Sequence, residues 1–258
     1  MLAFIINLLL VTLAYLQRKL TLFGALAALI IGCLYIGLGS WMAWFILILF
    51  FGSSIVIQWI SHLLKLSPTQ SSLTQKESKN GRGAVQVVMN SILGLVCLIL
   101  FHASRDINDY LLMAIAIAGP AADTWGSEIG ILSSKSPHYM IGFKAVPRGL
   151  SGGVSKLGLL ASLLGASYIA LVTWMTTFFS LSLFQVSGII FWGFLCSIID
   201  SILGQFIQAI YQEPLSGDFY EYAHPNAKLI QGFPFVSNSA VNLLSNLITL
   251  ILAYLALH

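Results

Sequence analysis

Ala114-Ile115-Ala116-Ile117-Ala118-Gly119-Pro120-Ala121-Ala122-Asp123-Thr124-Trp125-Gly126-Ser127-Glu128-Ile129-Gly130 runs from an apolar stretch into two carboxylates without leaving the hydrophobic segment 110–132. A bilayer hydrocarbon core is about 30 Å thick and is crossed by roughly 20 helical residues, so the segment is long enough to span it. A carboxylate at that depth costs about 2.5–3.5 kcal/mol on insertion scales and is seldom kept there without a partner or a task. The stretch therefore reads both as a membrane helix and as part of a site placed inside the membrane.

The rest of the chain has the same character: 58% of its residues are hydrophobic, 8% are charged, and the mean hydropathy is +0.90. This composition predicts an all-α, polytopic membrane bundle; the net charge of +3 says nothing about nucleic acid, because the basic residues fall in the loops, and no nucleic-acid partner is expected. Eight apolar spans are expected, at 1–16, 20–38, 41–60, 84–102, 110–132, 153–177, 184–211 and 233–257, forming one membrane domain over 1–258. The first span lacks a basic leader and a small-residue cleavage site, so it is expected to be a retained helix. Of the twelve Lys and Arg, only Arg105 falls on one side of this topology. The positive-inside rule then predicts a multi-pass cell-membrane protein with both termini outside and the basic loops in the cytoplasm. Cys33, Cys97 and Cys196 lie on separate apolar segments and suit packing rather than a disulfide or metal pattern.

Polar residues recur at helical spacing on four of the spans. Asp123 and Ser127 share a helix face with Gly119, Gly126 and Gly130, an arrangement that predicts a carboxylate beside an open groove. Glu128 lies about 140° away from Asp123 on a regular helix and joins the same site only if the helix breaks near its glycines and Pro120. Asp200 lines up with Gly193, Gly204 and Gln208 on the seventh span. Gln86, Asn90 and Gly94 form a stripe on the fourth span, one turn after Arg82, and Asn238, Asn242 and Asn246 form another on the last. For the Gln and Asn stripes, hydrogen bonding between helices is an equally good reading.

The segment 143–156 carries Lys144, Pro147, Arg148, Gly149, Ser151, Gly152, Gly153, Ser155 and Lys156. Glycines let backbone N–H groups approach phosphate oxygens, Lys and Arg neutralise charge, and a helix amino terminus favours anions, so the segment is expected to cradle phosphates. It is not a Walker loop. A lipid-headgroup contact is the alternative. Phosphate-binding cations beside intramembrane carboxylates suggest a magnesium ion bridging acid side chains and a nucleoside triphosphate, with a lipid substrate entering from the bilayer. Asp218, Glu221 and His224 are read as solvated loop charges outside the site.

Ala-Asp-Thr-x-x-Ser-Glu-x-Gly at 122–130, Lys-x-x-Pro-x-Gly-x-x-Gly-Gly-x-Ser at 144–155, Asp200-Ser201-x-x-Gly204 with Gln208, Gln86 with Asn90, and Asn238 with Asn242 together resemble the integral-membrane family that includes plant phytyl-phosphate kinase. More distantly the pattern is similar to phytol kinase, dolichol kinase and phosphatidate cytidylyltransferase. The resemblance spans nearly the whole chain. It implies a CTP-dependent, magnesium-dependent kinase that converts a prenyl monophosphate to the diphosphate. By the same resemblance Asp123, Glu128 and Asp200 would serve the metal, and Asp123, Asp200 and Lys144 the chemistry. Arg148, Gly149, Gly152, Gly153, Ser155 and Lys156 would hold phosphates, while Gln86, Asn90, Asn238 and Asn242 would line the site. The rival expectations are a CDP-lipid-forming cytidylyltransferase, which releases pyrophosphate, and a lipid or ion transporter, whose midplane carboxylates look similar locally.

Overall fold

The computed structural model describes residues 1–38, 41–64, 81–215, 217–223 and 225–258, so Lys65, Lys76, Lys79 and His224 lie outside the described residues. The helices are α1 (Leu2–Leu16), α2 (Leu22–Leu38), α3 (Trp41–Leu64), α4 (Ala84–Met89), α5 (Ile92–Ser104), α6 (Ile107–Gly130), α7 (Lys156–Thr176), α8 (Leu183–Phe206) and α9 (Asn238–Leu257). They correspond to the eight expected spans, with α4 and α5 sharing the fourth. The polypeptide leaves helical geometry at Ser91 (φ −130°, ψ −20°), which breaks that span without a proline or glycine at the junction. Five described stretches are long and apolar enough to cross a membrane by themselves: Trp41–Ile60, Ala84–Ser104, Lys156–Thr176, Leu183–Phe206 and Asn238–Leu257.

The hub of the bundle is α6, which packs against α3, α5, α7, α8 and α9 and is buried from Asp109 to Ala122. Its amino terminus is fixed by Asp106, whose side chain accepts from the Asn108 N–H. At the periphery α1 packs on α2, joined through buried Asn7: its amide donates to the Leu29 carbonyl at 3.2 Å and accepts from the Trp44 indole at 3.1 Å. A polar side chain in an apolar hairpin is stable there because both ends of its amide are satisfied.

Three expected boundaries move. The sixth span begins at Lys156, not 153, because Gly153-Val154 forms strand β2 against β1 (His138-Tyr139) and Ser155 caps α7. The seventh ends at Phe206, and Ile210–Gln212 becomes strand β3 between β4 (Phe219-Tyr220) and β5 (Lys228–Gln231). The last begins at Asn238, with Ser237 as its cap. In the first two cases a short β pairing satisfies backbone groups that an apolar reading of the sequence had assigned to a helix, and in the third a turn and the Ser237 cap precede the helix. These strands, the α1–α2 turn and residues 81–83 gather at one end of the bundle; Asp106 and His258 meet at 3.6 Å at the other.

Candidate functional site

At the end that carries the strands, a cavity of about 470 Å³ opens between α3, α4, α6, α7, α8 and α9. Asp123 and Asp200 both line it, from α6 and α8, as do Gln86, Asn90, Asn238 and Asn242. The four polar stripes therefore converge on one space. Asp200 is buried, and its Oδ2 accepts from the Ser245 hydroxyl at 2.9 Å; turned to satisfy both of its ends, the Asn242 amide donates to the same oxygen at 3.1 Å and to the Asn238 carbonyl at 3.0 Å. Asp123 is half-buried and accepts no hydrogen bond from the described residues.

Gly126 and Gly130 of α6 line the cavity beside Asp123, as expected, while Gly119 does not, and all three also sit at close helix contacts. A Cβ on Gly126 would lie 2.1 Å from the Ser162 Oγ, one on Gly119 would lie 2.5 Å from the Cys196 Sγ, and one on Gly130 would lie 3.2 Å from the Gly158 Cα. They are the contact points at which α7 and α8 close on α6, the use that membrane helices make of small residues. Gly193 serves the same purpose on α8, where an added Cβ would lie 2.7 Å from the Ala118 Cβ.

Helix α6 also stays continuous through Pro120, so the break that would have turned Glu128 toward Asp123 does not occur. Glu128 lines the same cavity without any break in the helix, and the Gln58 amide of α3 donates to it at 3.1 Å. Pro120 has no N–H for the carbonyl four residues earlier, Ala116, and the Asn246 amide donates to that carbonyl at 2.9 Å. The third member of the asparagine stripe is thus a structural hydrogen bond, while Asn238 and Asn242 face the cavity.

The glycine-rich segment folds over the cavity mouth. Gly152, at φ 78°, presses on the α8 backbone: an added Cβ would lie 2.5 Å from the Gln205 nitrogen, and the left-handed conformation itself favours glycine. Gly204 matches it from the α8 side, with an added Cβ 2.6 Å from the Ser151 Oγ. Ser151 donates to the fully buried Gln208 at 2.6 Å, and Gln208 donates to Glu221 at 3.0 Å. Glu221 lines the cavity, so this acid belongs to the site and not to a solvated loop. Arg148, Gly149, Gly153 and Ser155 also line it, with Arg148 donating to the Ser134 carbonyl at 2.7 Å. The Ser155 hydroxyl is engaged as the α7 cap, accepting from Gly158 at 3.0 Å and donating to the Gly130 carbonyl at 3.2 Å. Lys144 and Lys156 are exposed and do not line the cavity, and neither does Gly152.

Arg82, which precedes α4, reaches the cavity from a further side. It donates to the Ser54 hydroxyl at 2.8 Å and lies 6.0 Å from the centre of the Phe51 ring. Burial lowers its pKa and the charge of Glu128 opposes that shift. Among the described residues no group of three His, Cys, Asp or Glu is placed to hold a metal ion, so the expected triad with Glu128 does not form. The donor set that remains, Asp123 with no hydrogen bond from the described residues and Asp200 with one oxygen engaged, still fits magnesium, which commonly takes one or two carboxylates and completes its shell with water and phosphate oxygens.

The family model described as "Integral membrane protein DUF92" matches residues 5–250, a stretch that includes every residue of the cavity. The chain belongs to the DUF92 family. Protein PGR of Arabidopsis thaliana is 28% identical over 279 aligned residues, which cover 98% of this chain and 94% of that protein. An uncharacterized membrane protein of Methanocaldococcus jannaschii is 32% identical over 140 residues, covering 52% of this chain and 58% of that protein. No solved structure matches the chain. DUF92 membership bears out the resemblance drawn from the motifs and establishes an integral membrane protein.

Proposed function

We propose that this DUF92 protein is a kinase that moves the terminal phosphoryl group of a nucleoside triphosphate, CTP by the family resemblance, onto a prenyl monophosphate. The observation that carries this reading is the pairing of Asp123 and Asp200 on facing helices in one cavity whose mouth is covered by a glycine-rich loop bearing Arg148. An oxygen of the acceptor phosphate bonds to the γ-phosphorus, the bond from that phosphorus to the β–γ bridging oxygen breaks, and CDP leaves with the electron pair. The product is the lipid diphosphate.

Asp123 and Asp200 would hold magnesium, which neutralises phosphate charge and orients the nucleotide. Ser245 and Asn242 fix the Asp200 carboxylate by donating to one of its oxygens. Arg148 and the amino terminus of α7 present positive charge to phosphate oxygens, and the rigid helix contacts around them favour catalysis by positioning. By the positive-inside rule the site faces the cytoplasm, both termini lie outside, and residues 1–258 form one membrane domain.

The test is turnover in nanodiscs with magnesium, labelled CTP or ATP, and phytyl, farnesyl or geranylgeranyl monophosphate, with Asp123→Asn in parallel. Lipid diphosphate plus CDP or ADP, lost in the variant, is the expected result. Release of pyrophosphate with a CDP-lipid would replace the kinase by a cytidylyltransferase. No nucleotide turnover or binding would refute both enzymes and favour a transporter.

A further inference from the structure

The described cations of the cavity fall into two groups on different parts of the chain. One is Arg148 on the glycine-rich loop; the other is Arg18 and Lys19 from the α1–α2 turn together with Arg82. The second group is assembled by backbone pairing. The Arg82 N–H donates to the Lys19 carbonyl at 2.9 Å, and the Arg82 carbonyl accepts from Thr21 at 3.1 Å. Two glycines allow that crossing: a Cβ on Gly24 would lie 2.2 Å from the Arg82 carbonyl oxygen, and one on Gly81, at φ 76°, would lie 2.8 Å from the Arg18 carbonyl oxygen. Among the described residues no carboxylate stands within 4.0 Å of Arg18, Lys19 or Arg82, the single such pair being His258 with Asp106.

We propose that this wall of Arg18, Lys19 and Arg82 is the binding site for the phosphate of a single-chain lipid monophosphate, separate from the glycine-rich loop that takes the nucleotide. Three cations that line one cavity, with no carboxylate of the described residues within 4.0 Å, suit a dianionic phosphomonoester, whose oxygens accept from their N–H groups. The lipid, as opposed to free phosphate, follows from where the wall stands. Helices α1 and α2 are 15 and 17 residues long, roughly 22–26 Å at 1.5 Å per residue, shorter than the bilayer core of about 30 Å. The turn between them is therefore drawn in toward headgroup depth, and its hairpin is peripheral with an outer surface of exposed leucine, isoleucine and phenylalanine. A prenyl chain can lie along that surface while its phosphate meets the wall. The assignment of the bound lipid as phosphoryl acceptor rests on the proposed kinase reading; its binding at this wall does not.

Binding of farnesyl monophosphate, inorganic phosphate and CTP to the protein in neutral-lipid nanodiscs tests the assignment. Arg82→Gln should weaken farnesyl monophosphate roughly tenfold to hundredfold and leave CTP within about threefold, while Arg148→Gln should do the reverse. Because Arg82 also bonds Ser54, the pair Arg18→Gln and Lys19→Gln on the α1–α2 turn is the second variant, with the same selectivity expected. Unchanged farnesyl monophosphate binding in both wall variants would overturn the proposal. So would equal losses for lipid and CTP, or inorganic phosphate binding as tightly as the lipid. Lipid binding that depends on the wall in a protein that binds no CTP would leave this inference standing and remove the kinase.

Discussion

Replacing Asn246 by Leu should destabilise the bundle only as long as residue 120 is proline. The Asn246 amide donates at 2.9 Å to the Ala116 carbonyl, the group that Pro120 deprives of its helical donor. Hydrogen bonds between membrane helices average about 0.6 kcal/mol and reach about 1.7 kcal/mol. Leaving a buried carbonyl unmet costs about 1–3 kcal/mol. Part of this is recovered, because Leu also removes the Asn246 Oδ1, which is buried without a partner among the described residues. The net loss for Asn246→Leu should be about 1 kcal/mol. In a Pro120→Ala background the restored N–H can donate to Ala116, so Asn246→Leu should be neutral or mildly stabilising there. The four proteins form a double-mutant cycle, read by reversible SDS unfolding in mixed micelles, with an expected coupling of about 1 kcal/mol. Additivity within about 0.3 kcal/mol would show that Asn246 does not repair the proline site.

Asp200→Asn should lower lipid diphosphate formation on the order of a hundredfold or more, with the folded fraction retained because Ser245 can donate to the amide oxygen; size-exclusion profiles and turnover check the two halves of the expectation. Chelation of divalent ions should abolish turnover, and magnesium should restore it with higher activity than calcium, since magnesium demands tighter octahedral geometry. Gln58→Leu removes the donor to Glu128 and should cost under tenfold in turnover if Glu128 lies outside the metal set, whereas a loss as large as that of Asp200→Asn would put Glu128 back among the ligands.

The spans were legible because crossing a bilayer demands long apolar helices, and hydropathy records that demand directly. Convergence of the stripes on one end was legible for the same reason, since polar residues at i, i+4 and i+8 mark a face and loop charges mark a side. Three features were hidden. The break at Ser91 has no proline or glycine to announce it. Glu221 resembles a solvated loop acid until the β3–β4–β5 sheet carries it over the cavity, where the buried Gln208 meets it. Gln58 is one of a few polar residues on an otherwise apolar helix, and only the placement of α3 against α6 makes it the partner of Glu128. Pro120 did announce a missing donor, but which helix would supply one depends on tertiary packing.

The glycine contacts decide more than stability, because the helices they bring together are the ones that carry the acids. Gly119 and Gly193 set the approach of α8 to α6, and Gly126 and Gly130 that of α7. Asp123 lies between these contact points on α6, and Asp200 lies two turns beyond Gly193 on α8, so any widening of the helix pair is transmitted to the distance between the carboxylates. A methyl group at 126 would meet the Ser162 hydroxyl at 2.1 Å, and at 119 the Cys196 sulfur at 2.5 Å; relief requires a shift of roughly 1 Å in a helix or a side chain. A misplacement of about 1 Å at reacting groups can cost on the order of a hundredfold in rate. Gly119→Ala, whose obstacle is a buried cysteine with its Cβ 2.9 Å away as well as its sulfur, should therefore lower turnover more than it lowers stability. In Gly119→Ala with Cys196→Gly, where both the sulfur and the Cys196 Cβ, 2.9 Å from the added methyl, are gone, both should return toward the parent. If activity stays low in the double variant although the unfolding midpoint recovers, the spacing argument fails and Gly119 acts by some means other than holding the helices together.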